Sequence, residues 1–387
     1  MTNHYLSEAV ERIQPSGIRK FFDLASSMDN IISLGVGEPD YATPWNIREA
    51  SIASLERGMT SYTANAGILE LREEISRYLN REFHTLYDPE NEVIVTAGAS
   101  EAIDLAMRST VNPGDEVLVV EPSFVSYAPL VSLIGGVPVS VPTSIENGFK
   151  VTADQIAERV TDRTRGILLC FPNNPTGTVM TKEELEQVAT VIEKHDLIVY
   201  SDEIYAEMTY DGRHVSVPAL KGMRERTVLI SGFSKAFAMT GWRLGYVCAP
   251  APIAAGMLKI HQYAMMCAST MAQYGALEAL RNGKDEMLEM VESYRQRRNF
   301  FVSSLKDIGL DCHTPGGAFY AFPSIKSTGL SSEAFAEKLL FAERIAVVPG
   351  NVFGEGGEGH IRCSYATSLS QLEEAVDRID SFLKEIK

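Results

Sequence analysis

The feature that most constrains the fold is a regular alternation of short apolar runs with segments of helical periodicity across the middle of the chain. The runs are EVIVTAG (92–98), DEVLVVEP (115–122), VPVSVP (137–142), RGILLCFP (165–172), LIVYSDE (197–203) and TVLISGFS (227–234). They lack the polar alternation of half-exposed strands, which is typical of strands covered on both faces. Between two of them, Leu185, Val188 and Ile192 recur at helical spacing, and Thr181 with Glu184 forms a predicted capping box. The pattern predicts a doubly wound α/β domain with a mostly parallel sheet.

The domain boundaries follow from a change in this pattern. We expect the large domain to run over residues 46–285 and a smaller α+β domain over 286–387, with residues 1–45 as an N-terminal arm or part of the small domain. The small domain contains the strand-like segments GAFYAFPSI, AVVPG and HIRCSYATS. Its last helix carries an apolar stripe, and Ser370 with Glu373 is the predicted capping box of that helix.

Charge and cysteine content exclude several classes of protein. The 387 residues include 51 acidic and 35 basic side chains, a net charge of −16, which argues against the basic stripes of nucleic-acid binding. The 5 cysteines are scattered without a C-x-x-C pair, so we expect no disulfide framework and a reducing compartment. The uncharged stretch Pro122–Ile145 contains several prolines and a Gly-Gly pair that would break a membrane helix. With no signal peptide expected at the start, the sequence predicts a cytoplasmic protein without a membrane span.

Polar residues at the ends of the predicted strands are the candidates for chemistry, because open α/β sheets bind ligands at strand carboxyl ends. Gly98, Ala99 and Ser100 follow one strand and open a helix, where free N–H groups favour phosphate. Asp202 ends another strand, and Lys235 follows a third through a Gly/Ser turn. Taken singly, these residues also fit a plain βα turn, a helix cap and a surface lysine. A Schiff-base lysine, a carboxylate and a phosphate cup together are the groups that hold pyridoxal phosphate (PLP).

Other polar residues have simpler interpretations. Asn173, Asn174 and Pro175 are sufficiently explained as a turn. His195, His261 and His313 stand singly without metal-ligand spacing, so we expect structural roles and no metal site.

Five strings carry a resemblance to a known family: PNNPTG (172–177), SDEIYAEMTYDG (201–212), SGFSKAFAMTGWRLG (231–245), PGGAFYAFP (315–323) and IRCSYATS (361–368). In this order they resemble the bacterial class I aminotransferases of fold type I, the subgroup with aspartate, alanine, aromatic and acetyl-diaminopimelate aminotransferases. The resemblance extends over nearly the whole chain and is strongest to Bacillus-type enzymes of the alanine aminotransferase kind. It implies a homodimeric PLP enzyme that moves an amino group between an L-amino acid and a 2-oxo acid such as 2-oxoglutarate.

The resemblance also implies a role for each site residue. Catalysis would use Lys235 as the covalent cofactor lysine and proton carrier, Asp202 on the pyridinium nitrogen, and Tyr205 on the ring oxygen. The other cofactor contacts would be Asn174 on that oxygen, Phe124 on the ring face, Gly98, Ala99, Ser100, Ser234 and Arg243 on the phosphate, and Tyr62 on the phosphate of the neighbouring subunit. Substrate contacts would come from Arg362 and the Gly37 backbone on the α-carboxylate, from Asn174, and from Ile18.

Several alternatives stay open at this point. Ile18 and Arg19 fit either a lid over the substrate or simple packing of the arm. Many relatives have serine or threonine at the position of Gly232, so its phosphate contact would pass to Ser234 and Arg243. The alternative functions are a carbon–sulfur β-lyase on the same fold and, more remotely, a non-catalytic PLP-binding regulator.

Overall fold

The structure is a computed structural model that describes residues 5–15, 17–18 and 28–386. Its α-helices are α1 (Glu8–Glu11), α2 (Trp45–Glu56), α3 (Leu69–Phe83), α4 (Ala99–Thr110), α5 (Tyr127–Leu133), α6 (Ala153–Ala157), α7 (Lys182–Lys194), α8 (Ala251–Ala264), α9 (Thr270–Asn282), α10 (Lys284–Asp307), α11 (Ser332–Glu343) and α12 (Leu369–Glu385). Its strands are β1 (Ile32–Ser33), β2 (Val93–Thr96), β3 (Glu116–Glu121), β4 (Val137–Pro142), β5 (Thr164–Cys170), β6 (Ile198–Asp202), β7 (Thr227–Gly232), β8 (Gly245–Cys248), β9 (Tyr320–Ala321), β10 (Ile345–Ala346), β11 (Val348–Pro349) and β12 (Ile361–Ser364). In the described part of the chain, no helix is long and apolar enough to cross a membrane.

The central sheet has seven strands in the order β2-β8-β7-β6-β5-β3-β4. Neighbouring strands pair in parallel except around β8, which runs antiparallel to both β2 and β7. The predicted strands and the mostly parallel sheet are therefore confirmed. Strand β8, a four-residue strand that begins at Gly245, was not predicted from the sequence.

Side chains of the central strands alternate between two hydrophobic clusters, one on each face of the sheet. Leu168 and Tyr200 belong to one cluster, and Ile167 and Val199 belong to the other. Helix α7 buries Leu185, Val188, Ala189 and Ile192 as predicted, and Thr181 and Glu184 form its capping box. Covering on both faces explains why these strands contain so few polar residues.

The C-terminal residues form a second, three-stranded antiparallel sheet in the order β11-β12-β9. Helices α10, α11 and α12 share a hydrophobic cluster with it, and Ile32 and Leu34 of the N-terminal segment join this cluster. The predicted cap of α12 was wrong: the helix begins at Leu369, and Ser368 accepts a hydrogen bond from the Gln371 N–H. The domain boundaries at residues 45 and 285 stay a prediction.

Strand register brings the predicted site segments together. Cys170 pairs with Asp202, and Asp202 pairs with Ile230 on the next strand. The chain segments that leave the carboxyl ends of β5, β6 and β7 are therefore neighbours. They carry Asn174, Tyr205 and Lys235.

Candidate active site

A cleft of about 390 Å³ opens at these strand ends. All of the site residues named from the sequence line it except Gly98 and Tyr62. Arg362, from the second sheet, lines the same cleft as Asp202 and Lys235. The cleft therefore combines an amine, two carboxylates (Asp202 and Glu38) and two guanidinium groups at the place where an open α/β sheet binds its ligands.

Lys235 projects from the turn after β7 and is partly buried. Its Nζ donates to the Gly37 carbonyl oxygen at 2.5 Å and lies 5.8 Å from the ring centroid of Tyr205. Burial and, to a smaller extent, the nearby Arg362 guanidinium lower the pKa of Lys235 to about 8. A larger fraction of this amine than of an ordinary lysine is therefore uncharged near neutral pH, and the uncharged form is the one that attacks a carbonyl.

Asp202 ends β6 as a buried carboxylate with two hydrogen bonds. Tyr127 OH donates to Asp202 Oδ2 at 2.6 Å, and the Ile204 N–H donates to Oδ1 at 3.2 Å. Burial raises the pKa of Asp202 to about 6, whereas the Tyr127 hydrogen bond opposes that rise. Tyr127 was not predicted as the partner of Asp202, although a tyrosine inside an uncharged stretch was a signal that its hydroxyl needs a partner.

Tyr205 lies on the turn after β6, and its hydroxyl is 2.8 Å from that of Tyr320. Burial raises the pKa of Tyr205 well above its ordinary value, so the phenol stays protonated and can donate. Tyr320 was also missed as a site residue, although it lies within the string GAFYAF that contributed to the resemblance. Its side chain lines the cleft between Tyr205 and Arg362.

Arg362 is 3% exposed and is held by oxygen atoms from distant parts of the chain. Nη1 donates to Asn174 Oδ1 at 2.9 Å, and Nη2 donates to the Gly35 carbonyl oxygen at 2.6 Å. Within residues 5–15, 17–18 and 28–386, its Nε has no hydrogen-bond partner. A buried cation with a spare donor is costly unless an anion joins it, so the cleft fits a ligand with a carboxylate.

The turn before α4 forms the opposite end of the site. Gly98 has φ +84°, and a Cβ at this position would lie 2.7 Å from Arg243 Nη2. Glycine is needed for both the backbone angle and the close approach of the guanidinium. Gly98 supplies no side-chain cap to α4, so the N–H groups of its first turn are available to an anion beside Arg243.

Gly232 is explained by the packing of β7 against β8. A Cβ on Gly232 would lie 2.8 Å from Gly245 Cα and 3.1 Å from the Leu244 carbonyl oxygen. Both atoms belong to backbone, so a serine or threonine here would force the strands apart. The close strand contact accounts for glycine at this position.

Tyr62 and the N-terminal arm differ in their relation to the cleft. Tyr62 is 79% exposed and is not among the residues that line it, whereas Ile18 lines it together with Val36. Arg19, which the sequence analysis grouped with Ile18, lies outside the described residues.

Taken together, these groups fit PLP and an amino acid. The Lys235 amine can carry an aldehyde, the Asp202 carboxylate can hold a ring N–H, and Arg243 with the free N–H groups of α4 can bind a phosphate. Arg362 provides the remaining donor for a carboxylate. Phe124 lines the cleft with its ring 5.6 Å from that of Tyr127, which offers an aromatic face to a planar ring.

Comparison with known proteins gives the same assignment. Residues 29–379 match the family model "Aminotransferase class I and II". The chain is 63% identical over 379 residues to "Putative aminotransferase YugH" of Bacillus subtilis, with 98% of each chain covered. It is 45% identical over 385 residues to "Aromatic-amino-acid aminotransferase 2" of Thermococcus litoralis, with 99% of each covered.

A solved structure extends this similarity to the fold. The aspartate aminotransferase of Thermus thermophilus with maleate superposes with a TM-score of 0.93 at 37% identity, covering 97% of this chain and 99% of that one. Enzymes of this family bind PLP covalently on a lysine and act on amino acid and 2-oxo acid substrates. The chain therefore belongs to the class I and II aminotransferase family and is a PLP-dependent aminotransferase with the α/β architecture of fold type I.

Proposed function

We propose that Lys235 is the lysine that binds PLP and that it moves the proton between the substrate Cα and the cofactor C4′. The observation that carries this assignment is its partly buried amine, whose pKa falls to about 8 in the same cleft as Asp202 and Arg362. Once substrate displaces it, the amine is free to accept the α-proton and return it one position along. When bound, PLP supplies a ring that accepts the electron pair released at Cα.

In this proposal, Asp202 and Tyr205 bind different atoms of the cofactor ring system, the ring nitrogen and the ring oxygen. Asp202 holds the proton on the pyridine nitrogen, and Tyr127 holds the Asp202 carboxylate in place. Tyr205 and Asn174 donate to the ring oxygen, and Phe124 packs on the ring face. The hydrogen bond of Asn174 to Arg362 orients its side-chain oxygen toward the guanidinium, which leaves its amide N–H₂ free to donate.

The two arginines of the cleft bind two different anionic groups, the cofactor phosphate and the substrate α-carboxylate. Arg243, Ser234 and the turn Gly98–Ser100 bind the phosphate, while Arg362 and the Gly37 backbone hold the substrate α-carboxylate. Arg362 presents two or more N–H groups in one plane, which suits bidentate binding of a carboxylate.

For the substrates, we propose alanine, aspartate or an aromatic amino acid as donor and 2-oxoglutarate as acceptor, with ping-pong kinetics. Relatives of this chain are named aspartate, aromatic-amino-acid and N-acetyl-LL-diaminopimelate aminotransferases, which supports a role in amino-acid biosynthesis. The β-lyase alternative has no support in these comparisons.

We further propose a cytoplasmic homodimer in which each subunit completes the other's site. The segment that carries the exposed Tyr62 joins a second exposed apolar segment through Asn65, whose Nδ2 donates to the Met266 carbonyl oxygen, and Met266 and Tyr263 are 45% and 89% exposed. A cluster of this kind is typical of a surface between subunits. The division into residues 1–45, 46–285 and 286–387 belongs to the same proposal.

The test is a titration of the purified PLP-loaded protein with single L-amino acids in the absence of any oxo acid. A donor should bleach the visible absorption of the lysine-bound cofactor and yield one equivalent of 2-oxo acid, and the amino acids that do so identify the donor class. Release of ammonia and pyruvate from cystathionine with the absorption unchanged would favour the β-lyase instead. A protein that binds no PLP would contradict the site assignment.

A further inference from the structure

The turn at Ala97–Ser100, here called the phosphate turn, is held from behind by a charged side chain. Glu101 is the third residue of α4, and its Oε2 accepts a hydrogen bond from the Ala97 N–H at 2.5 Å. Gly98 supplies no side-chain oxygen, and this bond ties the turn back to the first turn of the helix.

Glu101 is held in turn by a buried histidine from another helix. His261, in the last turn of α8, is 0% exposed, and its Nδ1 lies 2.7 Å from Glu101 Oε1. A carboxylate can only accept, so Nδ1 carries the hydrogen in this contact. Both carboxylate oxygens of Glu101 are therefore occupied, one by the turn and one by α8.

The direction of the Glu101 side chain matters because of its charge. Ala99, Ser100 and Ile103 line the cleft, whereas Glu101 does not, although it lies between them in sequence. A carboxylate that rotated toward the cleft would stand beside the phosphate and repel it. The two hydrogen bonds hold the negative charge behind the turn and leave the N–H groups in front of it.

We propose that Glu101 and His261 are positioning residues for the cofactor phosphate. His261 fixes the Glu101 carboxylate, Glu101 fixes the Ala97 peptide, and the phosphate turn is thereby held in its anion-binding conformation before the cofactor arrives. The inference rests on the proposed function, because it takes the phosphate turn as the place where the cofactor phosphate binds. Neither residue lines the cleft itself.

The test compares two ligands that differ only in the phosphate. The full-length chain, freed of cofactor, is titrated with PLP and with pyridoxal, and both dissociation constants are measured from absorption. Glu101→Gln and His261→Leu should each weaken PLP binding about tenfold, the usual effect of losing a hydrogen bond to a charged group, and leave pyridoxal binding unchanged. His261→Asn keeps a donor near the position of Nδ1 and should recover most of the PLP affinity.

The chain offers a matched control in a second buried pair, His214 and Glu203, joined at 2.8 Å. His214→Leu should lower the melting temperature about as much as His261→Leu does. It should not change the ratio of PLP affinity to pyridoxal affinity. The inference would be overturned if Glu101→Gln and His261→Leu both left the ratio of PLP affinity to pyridoxal affinity unchanged, either because neither affinity fell or because both fell equally. If the unsubstituted chain itself shows no preference for PLP over pyridoxal, the phosphate site of the proposed function fails as well.

Discussion

At the scale of single residues, burial shifts the pKa values of Lys235 and Asp202, and only the shift of Lys235 favours the reaction. It lowers the pKa of Lys235 to about 8 and raises that of Asp202 to about 6. Both shifts bring the pKa values closer to neutral pH, because burial disfavours the charged form of each group. The amine gains nucleophilicity in this way, while the carboxylate depends on Tyr127 to remain ionised.

Lys235→Ala should abolish transamination without unfolding the protein. We expect turnover to fall by at least about 10⁴-fold, since the variant loses both the covalent anchor and the proton carrier. The measurement is the initial rate with an amino donor and 2-oxoglutarate, accompanied by a thermal melt. Lys338→Ala, which removes an exposed lysine of α11, is the control and should keep full activity. Transamination at the normal rate by Lys235→Ala would refute the assignment.

Tyr127→Phe should change the pH dependence more than the fold. The Tyr127 hydroxyl lowers the pKa of Asp202 by donating to its ionised form, so its removal raises that pKa. Activity needs ionised Asp202. When the pH is lowered, the variant should therefore lose activity at a higher pH than the unsubstituted enzyme does. The acid limb of the kcat/KM profile should move upward by about one pH unit. An acid limb at the same pH as in the unsubstituted enzyme would separate Tyr127 from the function of Asp202.

At the scale of secondary-structure elements, β8 sets the position of the phosphate turn. A Cβ on Gly245 would lie 2.7 Å from Ala99 N and from Gly98 C, so the strand and the turn are in backbone contact. The antiparallel insertion of β8 between β2 and β7 creates this contact. Strand β8, which the sequence does not predict, therefore holds the phosphate turn in place by backbone contact.

Gly245→Ala should weaken both the fold and PLP binding, because backbone atoms cannot move aside as side chains do. We expect a loss of about 2 kcal/mol in the free energy of unfolding, measured with urea, and a higher dissociation constant for PLP. Gly256→Ala in α8 is the matched control, since its Cβ would meet only Ser109 Cβ at 3.7 Å. That change should stabilise the protein by about 0.5 to 1 kcal/mol. Equal stability of the two variants would contradict the crowding at Gly245.

The start of α12 gives a second comparison between variants. Ser368 accepts a hydrogen bond from the Gln371 N–H, whereas Ser370 lies inside the helix. Ser368→Ala should lower the free energy of unfolding by about 1 kcal/mol. Ser370→Ala should change it by less than about 0.5 kcal/mol. The reverse order in urea unfolding would restore Ser370 as the cap.

At the scale of the whole molecule, the proposed dimer divides each site between two chains. Lys235 and Arg362 line the cleft of their own chain, and Tyr62 does not. In a mixed dimer, a chain with a substitution at Lys235 and a chain with a substitution at Tyr62 should therefore form one intact site. Two chains with substitutions at different residues of the same cleft should form none. Light scattering should give a mass of about twice 42.5 kDa.

Mixing and refolding inactive chains tests this division directly. A mixture of Lys235→Ala and Tyr62→Ala should regain up to roughly a quarter of the full activity, because half of the dimers are mixed and each contains one intact site. A mixture of Lys235→Ala and Arg362→Ala should regain none, since both defects fall in the same cleft. Failure of the first mixture in a protein of dimeric mass would remove Tyr62 from the partner's site.

Much of the fold could be predicted from local pattern. The strands from β2 to β7, the apolar face of α7 and its capping box follow from periodicity and from residue preferences at helix starts. The cap of α12 was misassigned because two serines near its start, Ser368 and Ser370, fit the same local pattern. Strand β8 was missed because four residues, the first of them a glycine, carry too little periodicity to indicate a strand.

The chain's own sequence determined the alternation of strands and helices and the kinds of group at the strand ends, since both depend on neighbouring residues. The tertiary structure decided which distant groups meet. Tyr127 reaches Asp202 across 75 positions, His261 reaches Glu101 across 160, and Arg362 reaches Asn174 across 188. These contacts depend on strand order and on the packing of the second sheet, and neither leaves a periodic signal in the sequence. Periodicity reports which face of an element is buried, but not which side chain it is buried against.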